Sequence, residues 1–323
     1  MKSVVLAFVC SSFFAAAKEA PNFAGLLKGP PSEQFVYANR GETKLVLHVF
    51  RPADAEEGEL RPAIMFIHGG GWIGGTPDLF MSLARYFATR GMVGVNISYR
   101  LAKAGETTIA DCITDCRSAL RYLRVNSQQL GIDPERIAVA GDSAGGHLAA
   151  VLGTMSGFDA SNEEAAVPGL ADAMIIFNPI VDMTEGDWIR FAVGGPALWD
   201  RKNTPRPTDE SSVAVARSLS PLFFVGPGQP PSLIVHGKGD RVVGISQAER
   251  FAEANRAAGN RCEYIPLGED VGHAFALPAY KSEEKVVVEN VHAVDRFLRS
   301  LDWIQGDPTL VVSNPPAWEI RRK

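Results

Sequence analysis

The stretch that decides the fold is Ile137–Ala150, which reads IAVAGDSAGGHLAA. An apolar, strand-like run ends at Gly141, and a helix-like run of small residues begins soon afterwards. Ser143 lies between the two, with a glycine two positions away on either side. The pattern G-x-S-x-G between a strand and a helix is typical of a nucleophile held on a strained turn. A purely structural strand-to-helix turn, which needs glycine only for space, would have the same sequence pattern. The pentapeptide alone therefore leaves both interpretations open.

Short apolar runs alternate with helical patterns on both sides of this stretch. The other strand candidates are Gln34–Tyr37, Lys44–Phe50, Ala63–His68, Met92–Tyr99, Ala173–Asn178, Ser232–His236 and Cys262–Leu267. The helix candidates are Ile109–Asn126, Ala144–Gly153, Gln247–Ala258 and about 281–301. Most of the runs are apolar throughout, which is typical of parallel strands covered by helices on both faces. The sequence therefore predicts an α/β fold with a mostly parallel central sheet, to which the two early strands add an antiparallel part.

The composition is that of one large globular domain. The chain has 323 residues, of which 46% are hydrophobic and 21% are charged, and no linker divides it. We expect a single domain over 33–323, preceded by an N-terminal linker at 18–32. The formal net charge of -5 argues against a nucleic-acid partner, which would require a clustered basic face.

The first 17 residues predict a secretory signal peptide. Lys2 precedes an apolar run over Val4–Phe14, and Ala15–Ala17 supplies an A-x-A cleavage pattern. The run is too short to span a bilayer, so we expect a secreted or periplasmic protein without stable membrane insertion. A short buried N-terminal helix is the alternative. Cleavage would leave three cysteines, an odd number that argues against a disulfide framework, and no local spacing suggests a metal site.

Four residues with reactive side chains fall at the ends of candidate strands. His68, Ser143, Asp240 and His273 each follow an apolar run. Because ligands bind beyond the carboxyl ends of strands in open α/β sheets, one fold would bring these residues together. A serine hydroxyl needs a base, which is itself oriented by an acid. The order Ser143, Asp240, His273 is that of α/β-hydrolases. The sequence also offers Glu269, Asp270 and Asp295 as alternative acids, and His48, His236 and His292 as alternative bases.

The segment His68–Trp72, HGGGW, predicts an oxyanion hole. A run of glycines lets backbone N–H groups turn inward without obstruction by side chains. We expect the amides of Gly70, Gly71 and Ala144 to serve this purpose. The same glycines also satisfy G-x-G-x-x-G, but no helix starts at the last glycine and no acidic residue ends the next strand, which argues against a dinucleotide site.

Several motifs occur in the order found in one family of enzymes. HGGGW, Tyr99–Leu101, GDSAGG, HGKGD and GHAF together resemble the α/β-hydrolase esterases of the hormone-sensitive-lipase-like group, and most of all bacterial acetyl esterases and feruloyl/acetyl-xylan esterases. The resemblance covers about 35–300. It implies the α/β-hydrolase fold and a serine carboxylesterase without a cofactor. It also implies Ser143 as nucleophile, His273 as base and Asp240 as acid, with Asp142 and His147 in structural roles.

One long segment interrupts the alternation and is the candidate lid. Residues 182–221 contain Trp188, Phe191 and Trp199. Loops of this length inside a compact domain are usually active-site lids or binding loops. These aromatics, with Trp72, could stack on a sugar or an aryl acid, or could form the small core of the insertion. The segment before the first strand is too short for the N-terminal helical cap of lipase-like relatives, which disfavours long-chain lipids.

Three functions remain open on the sequence alone. The first is a secreted esterase acting on short, acetyl-type esters of a small molecule or an acetylated carbohydrate. The second is a prolyl-oligopeptidase-type serine peptidase, or a general lipase or esterase. The third is a non-catalytic binding protein that keeps the pocket. The sequence does not fix the oligomeric state.

Overall fold

The computed structural model describes residues 20–29, 32–161, 166–194, 205–273, 275–277 and 283–314. The strands in these residues are β1 (Glu33–Arg40), β2 (Thr43–Phe50), β3 (Arg61–Ile67), β4 (Val93–Ile97), β5 (Ile132–Asp142), β6 (Ala173–Phe177), β7 (Ser232–Gly237) and β8 (Cys262–Leu267). They form one sheet in the order β1-β2-β4-β3-β5-β6-β7-β8. β1 pairs antiparallel with β2, and β2 with β4, whereas all the other neighbours are parallel. The predicted α/β class, with a mostly parallel sheet, is confirmed.

Helices cover both faces of the sheet. They are α1 (Phe23–Leu27), α2 (Met81–Thr89), α3 (Ile109–Val125), α4 (Ser127–Leu130), α5 (Ala144–Thr154), α6 (Trp188–Val193), α7 (Glu210–Ser218), α8 (Ser246–Ala257) and α9 (Glu284–Arg299). Side chains of α1, α2 and α9 join Ile64 and Phe66 of β3 in one core. Side chains of α3, α5 and α8 join Met65 and Ile67 in the other. Because successive strand residues face opposite sides, both faces of β3 must be apolar, which explains its unbroken apolar run.

Helix α3 shows how local sequence sets these elements. Thr108 accepts a hydrogen bond from the N–H of Asp111, and the Asp111 side chain accepts one from the N–H of Thr108, which forms a capping box. Cys112 and Cys116 are fully buried on the inner face of the helix. Burial raises the pKa of both thiols, so they behave as small core residues.

The segment predicted as a linker, 18–32, contains a short helix. Asn22 caps α1 by accepting a hydrogen bond from the N–H of Gly25 at 2.9 Å. Phe23 is fully buried, and α1 packs against α2. The sequence prediction missed this helix because a single buried ring gives no periodic pattern. In its described part, then, the segment belongs to the core.

The candidate lid at 182–221 contains α6 and α7, which pack against each other. Trp199 and the predicted signal peptide at 1–17 lie outside the described residues. Among the helices of the described part, none is both long enough and apolar enough to cross a membrane.

Candidate active site

Ser143 lies on the turn between β5 and α5 in a backbone conformation that L-residues rarely adopt, with φ 53° and ψ -120°. Its N–H donates to the carbonyl oxygen of Phe177 at 2.9 Å, which ties the turn to β6. Gly145 permits the close approach, because a Cβ there would overlap the carbonyl oxygen of Ile67. The strained turn presents the serine hydroxyl at the carboxyl edge of the sheet.

The three side chains predicted as a catalytic triad lie in one hydrogen-bonded chain. His273 Nδ1 is 2.7 Å from Oδ2 of Asp240, and His273 Nε2 is 3.0 Å from Oγ of Ser143. A carboxylate only accepts, so Nδ1 carries the proton and donates it to Asp240. Nε2 is then free to accept the hydroxyl proton of Ser143. The described residues contain no other imidazole in contact with Ser143.

Asp240 is surrounded by donors. Its Oδ1 accepts hydrogen bonds from the N–H groups of Val242 at 2.8 Å and Val243 at 3.0 Å. Burial acts to raise the pKa of this carboxyl, but the contacts with His236 and His273 outweigh burial and hold it well below its usual range. Asp240 is therefore ionised at neutral pH and can stabilise a charged His273.

The glycines of the HGGGW segment have the conformations that the prediction requires. Gly70 has φ 118° and Gly71 has φ 63°, and a Cβ on Gly70 would overlap the carbonyl oxygen of Gly74. Within the described residues we find no acceptor for the amides of Gly70, Gly71 and Ala144. Ala144 opens α5, where the helix dipole favours negative charge. These groups can donate to a developing oxyanion.

Asp142 joins this loop to the serine turn. Its Oδ1 accepts a hydrogen bond from the N–H of Gly69 at 2.9 Å. Burial raises its pKa to about 6, although the Gly69 amide and the charge of His273 act in the other direction. His68 supports the same loop, since its ring stacks on Tyr99 with 4.3 Å between centroids, and the Tyr99 hydroxyl donates to the His68 carbonyl oxygen at 2.8 Å. Asp142 thus has the structural environment that the family resemblance implied, and His68 shapes the same loop.

Three of the aromatic residues predicted to meet substrate, Trp72, Trp188 and Phe191, pack against one another. Trp72 is fully buried and Phe191 is 9% exposed, with their ring centroids 5.5 Å apart. The Trp72 indole donates to His147 Nδ1 at 3.2 Å, and His147 Nε2 donates to the Leu219 carbonyl oxygen at 2.7 Å. The cluster therefore anchors α6 and residues near 219 to the HGGGW loop. This corrects the prediction for Trp72, whose ring has no free surface; Trp188, the third member, is only partly buried.

The alternatives for acid and base have other partners. His48 contacts Oγ of Ser32, and His292 contacts the carbonyl oxygen of Leu310. Asp295 accepts from Tyr86 and Arg90 on the far face of the sheet. His236, one of the alternative bases, lies with its Nε2 3.3 Å from Oδ2 of Asp240, a contact that the sequence did not predict. The sequence feature that could have indicated this contact is the spacing of four residues between His236 and Asp240 in HGKGD.

A polar pocket of about 450 Å³ lies beside the loop that carries Asp240. It is lined by Glu185, Gly186, Asp187, Trp188, Arg241, Val242, Gly244 and Gln247. In the part of the chain that the structure describes, no group of three or more His, Cys, Asp and Glu side chains is placed to hold a metal ion.

Comparison with known proteins identifies esterases that are similar to this chain in sequence and in structure. The model of the BD-FAE family matches residues 47–254. Esterase LipC of Mycobacterium tuberculosis is 30% identical over 67% of this chain and 53% of its own, and Esterase LipQ of the same organism is 28% identical over 93% and 72%. The apo structure of Thermogutta terrifontis esterase 2 has a TM-score of 0.74 and 32% identity, covering 86% of this chain and 97% of its own. That esterase has also been solved with propionate bound, with butyrate bound and phosphorylated by paraoxon.

The fold and these relatives define the class as a carboxylic ester hydrolase of the α/β-hydrolase type, and the resemblance to the hormone-sensitive-lipase-like group is confirmed. Within that class the chain belongs to the BD-FAE family. It spans about half the length of LipC.

Proposed function

We propose that this protein is a serine carboxylesterase that removes short acyl groups, acetyl above all, from a hydrophilic alcohol of carbohydrate type. The observation that carries the proposal is the hydrogen-bonded chain from Ser143 Oγ through His273 to Asp240, at 3.0 and 2.7 Å. Beside it lie backbone amides without an acceptor among the described residues. This arrangement suits a nucleophile, a base and an oxyanion site acting on one carbonyl group.

The first half of the proposed reaction forms an acyl-enzyme. Ser143 Oγ attacks the acyl carbon while His273 Nε2 takes the hydroxyl proton. The amides of Gly70, Gly71 and Ala144 donate to the negative oxygen of the tetrahedral intermediate. Asp240 stays ionised and stabilises the imidazolium. When the C–O bond breaks, His273 gives its proton to the departing alcohol.

The second half repeats these steps with water as the nucleophile. Water attacks the acyl carbon on Ser143, and His273 Nε2 takes a proton from it. The intermediate collapses, the carboxylic acid leaves, and the proton returns to Ser143 Oγ. Water is the co-reactant of the cycle, and no atom changes its oxidation state.

Two observations support a short acyl group. Thermogutta terrifontis esterase 2, the structural relative, has been solved with propionate and with butyrate bound. In this chain the described residues before β1 form α1, which packs against α2 and the core. The apolar side chains Phe23 and Leu26 of α1 are thus engaged in the core and are not offered to an acyl tail.

The polar pocket supports a hydrophilic alcohol. Its lining includes Arg241, which follows Asp240 in the chain, and Asp187. The Asp187 carboxylate can accept hydrogen bonds from hydroxyl groups, and the Arg241 guanidinium can donate to them. Trp188 adds an aromatic surface of the kind that packs on an apolar sugar face. An acetylated carbohydrate outside the cytoplasm would also fit the predicted signal peptide at 1–17.

A series of p-nitrophenyl esters tests the acyl preference. We expect kcat/KM to be highest for acetate to butyrate and to fall by octanoate. Ser143→Ala should lower kcat by about 10⁴-fold or more, because the nucleophile is lost. A preference for octanoate would refute the short-chain proposal, and full activity in the serine variant would refute the mechanism.

Acetate release from a panel of acetylated glycans, compared with hydrolysis of methyl ferulate, tests the alcohol. We expect acetate release from at least one glycan at a kcat/KM above that for methyl ferulate. Faster hydrolysis of methyl ferulate than of every acetylated glycan would reverse the assignment while leaving the esterase mechanism in place.

A further inference from the structure

His236 is a second imidazole at the catalytic carboxylate. It lies at the carboxyl end of β7 and is fully buried. Its Nε2 is 3.0 Å from the carbonyl oxygen of Val243 and 3.3 Å from Oδ2 of Asp240. Its Nδ1 is also buried and has no hydrogen-bond partner within the described residues.

These contacts define the proton positions on His236. A carbonyl oxygen only accepts, so Nε2 must carry a proton. A second proton on Nδ1 would bury an N–H group without an acceptor, which is costly. His236 is therefore neutral, and its Nε2–H, shared between Val243 and Asp240, turns the positive end of its dipole towards the carboxylate.

The two oxygens of Asp240 are held differently. Oδ1 accepts from the amides of Val242 and Val243. Oδ2 lies between two imidazoles, His273 at 2.7 Å and His236 at 3.3 Å. The His236 contact restrains the oxygen that must stay aligned with His273 throughout the reaction.

We propose that His236 is a positioning residue that acts through Asp240, orienting its Oδ2 towards His273 and reducing the basicity of the carboxylate. The inference rests on the proposed function, because it concerns the same relay. A less basic carboxylate binds the His273 proton less strongly. Loss of the His236 donor would therefore strengthen the interaction of Asp240 with a protonated His273.

The groups that face this relay come from three elements. His236 and Asp240 belong to β7 and the loop after it, and His273 belongs to the loop after β8. Asp142, on the turn after β5, interacts with His273 through its charge. Substitution of His236 alone leaves the other charged groups in place.

The test compares His236→Met with His236→Gln. Glutamine places a side-chain N–H near the position of Nε2, whereas methionine has similar length and no donor. For p-nitrophenyl acetate we expect His236→Met to lower kcat/KM about tenfold, as the loss of one hydrogen bond to a charged group would. We also expect the midpoint of the acid limb of its pH profile to move upward by roughly 0.5 pH unit. His236→Gln should restore both towards wild type.

His292→Met is the matched control, because it also removes an imidazole that donates to a backbone carbonyl, at Leu310. It should leave the pH profile unchanged. An unchanged profile in His236→Met, or equal shifts in the Met and Gln variants, would overturn the proposal.

A measurement on the wild-type protein does not depend on whether the variants fold. Nitrogen-15 NMR of histidine-labelled protein should show His236 protonated at Nε2 and bare at Nδ1. The opposite tautomer would also overturn the proposal, since Nε2 could not then donate to Asp240. This readout is independent of activity, so it separates failure here from failure of the esterase mechanism, which Ser143→Ala tests.

Discussion

Replacement of Asp142 by asparagine should remove a pH-dependent loss of stability. Asp142 is 2% exposed, and burial raises its pKa from the ordinary value of 3.8 to about 6. The ionised form is therefore less favourable in the folded protein than in the unfolded chain. Asparagine keeps an oxygen that can accept the N–H of Gly69, so the variant removes the titration and preserves the hydrogen bond.

The sign follows from linkage. Below pH 3.8 the carboxyl is protonated in both states and imposes no penalty. As the pH rises from 3.8 towards 6, the carboxyl ionises in the unfolded chain but stays protonated in the folded protein, so the folded state loses stability. The pKa difference of about 2.2, at 1.36 kcal/mol per unit, gives a total loss of about 3 kcal/mol, complete above about pH 7.

Urea unfolding at pH 4, 5, 6, 7 and 8 measures this effect. The free energy of unfolding of Asp142→Asn minus that of wild type should rise with pH by about 2–3 kcal/mol and then level off. Taking this difference cancels the titration of the groups that do not interact with Asp142. Asp54→Asn, at an exposed aspartate, supplies the matched control for removal of a carboxylate.

The result that would refute the reasoning is a stability difference that does not change between pH 4 and pH 8. Asp142 would then have equal proton affinity in the folded and unfolded states. A difference that falls with pH would show that the Gly69 amide and His273 outweigh burial.

Three other outcomes are expected. Asp240→Asn should lower kcat for p-nitrophenyl acetate by about 10⁴-fold with unchanged circular dichroism, because the amide favours the wrong tautomer of His273; a loss below tenfold would exclude Asp240 as the orienting acid. Phe23→Ala should lower the free energy of unfolding in urea by about 3–5 kcal/mol and leave KM unchanged, because a fully buried ring is lost away from Ser143; an exposed, unpacked α1 would give no loss. Paraoxon should add one phosphoryl group per chain in intact-mass spectra and none to Ser143→Ala, whereas equal labelling of both would place the reactive group elsewhere.

The sequence predicted the elements that carry Ser143, Asp240 and His273 because each lies at a boundary where hydrophobic periodicity changes. Parallel strands have their carboxyl ends at one edge of the sheet, so residues that follow such strands come together without knowledge of any contact. The same reasoning located the HGGGW loop. Strand ends were approximate: β5 begins at Ile132, earlier than its apolar run, because Asp133 and Pro134 interrupt the apolar pattern.

The features that the sequence did not predict all depend on which partner a side chain meets. A tryptophan such as Trp72 suits a buried cluster and a binding surface equally well. The position of α6, whose Phe191 packs on the Trp72 ring, shows that the ring is buried. Phe23 buries one ring in a helix too short to show a period. His236 looked like a strand-end residue, and its contact with Asp240 depends on the tight path of the loop between them. Periodicity reports which face is apolar, and not what lies against that face.

The site contains two aspartates whose environments push their proton affinities in opposite directions, and this difference decides which one serves as the acid. Asp142 adjoins Ser143 in sequence, but a single backbone amide faces its buried carboxyl, and its pKa rises to about 6. Asp240 accepts from two amides and meets two imidazoles, and its pKa falls below the usual range. A residue that must stay charged while His273 gains and loses a proton requires the second environment. Asp142 can therefore hold the oxyanion loop in either protonation state, whereas the stabilisation of a protonated His273 depends on Asp240 and on the donors that keep it ionised.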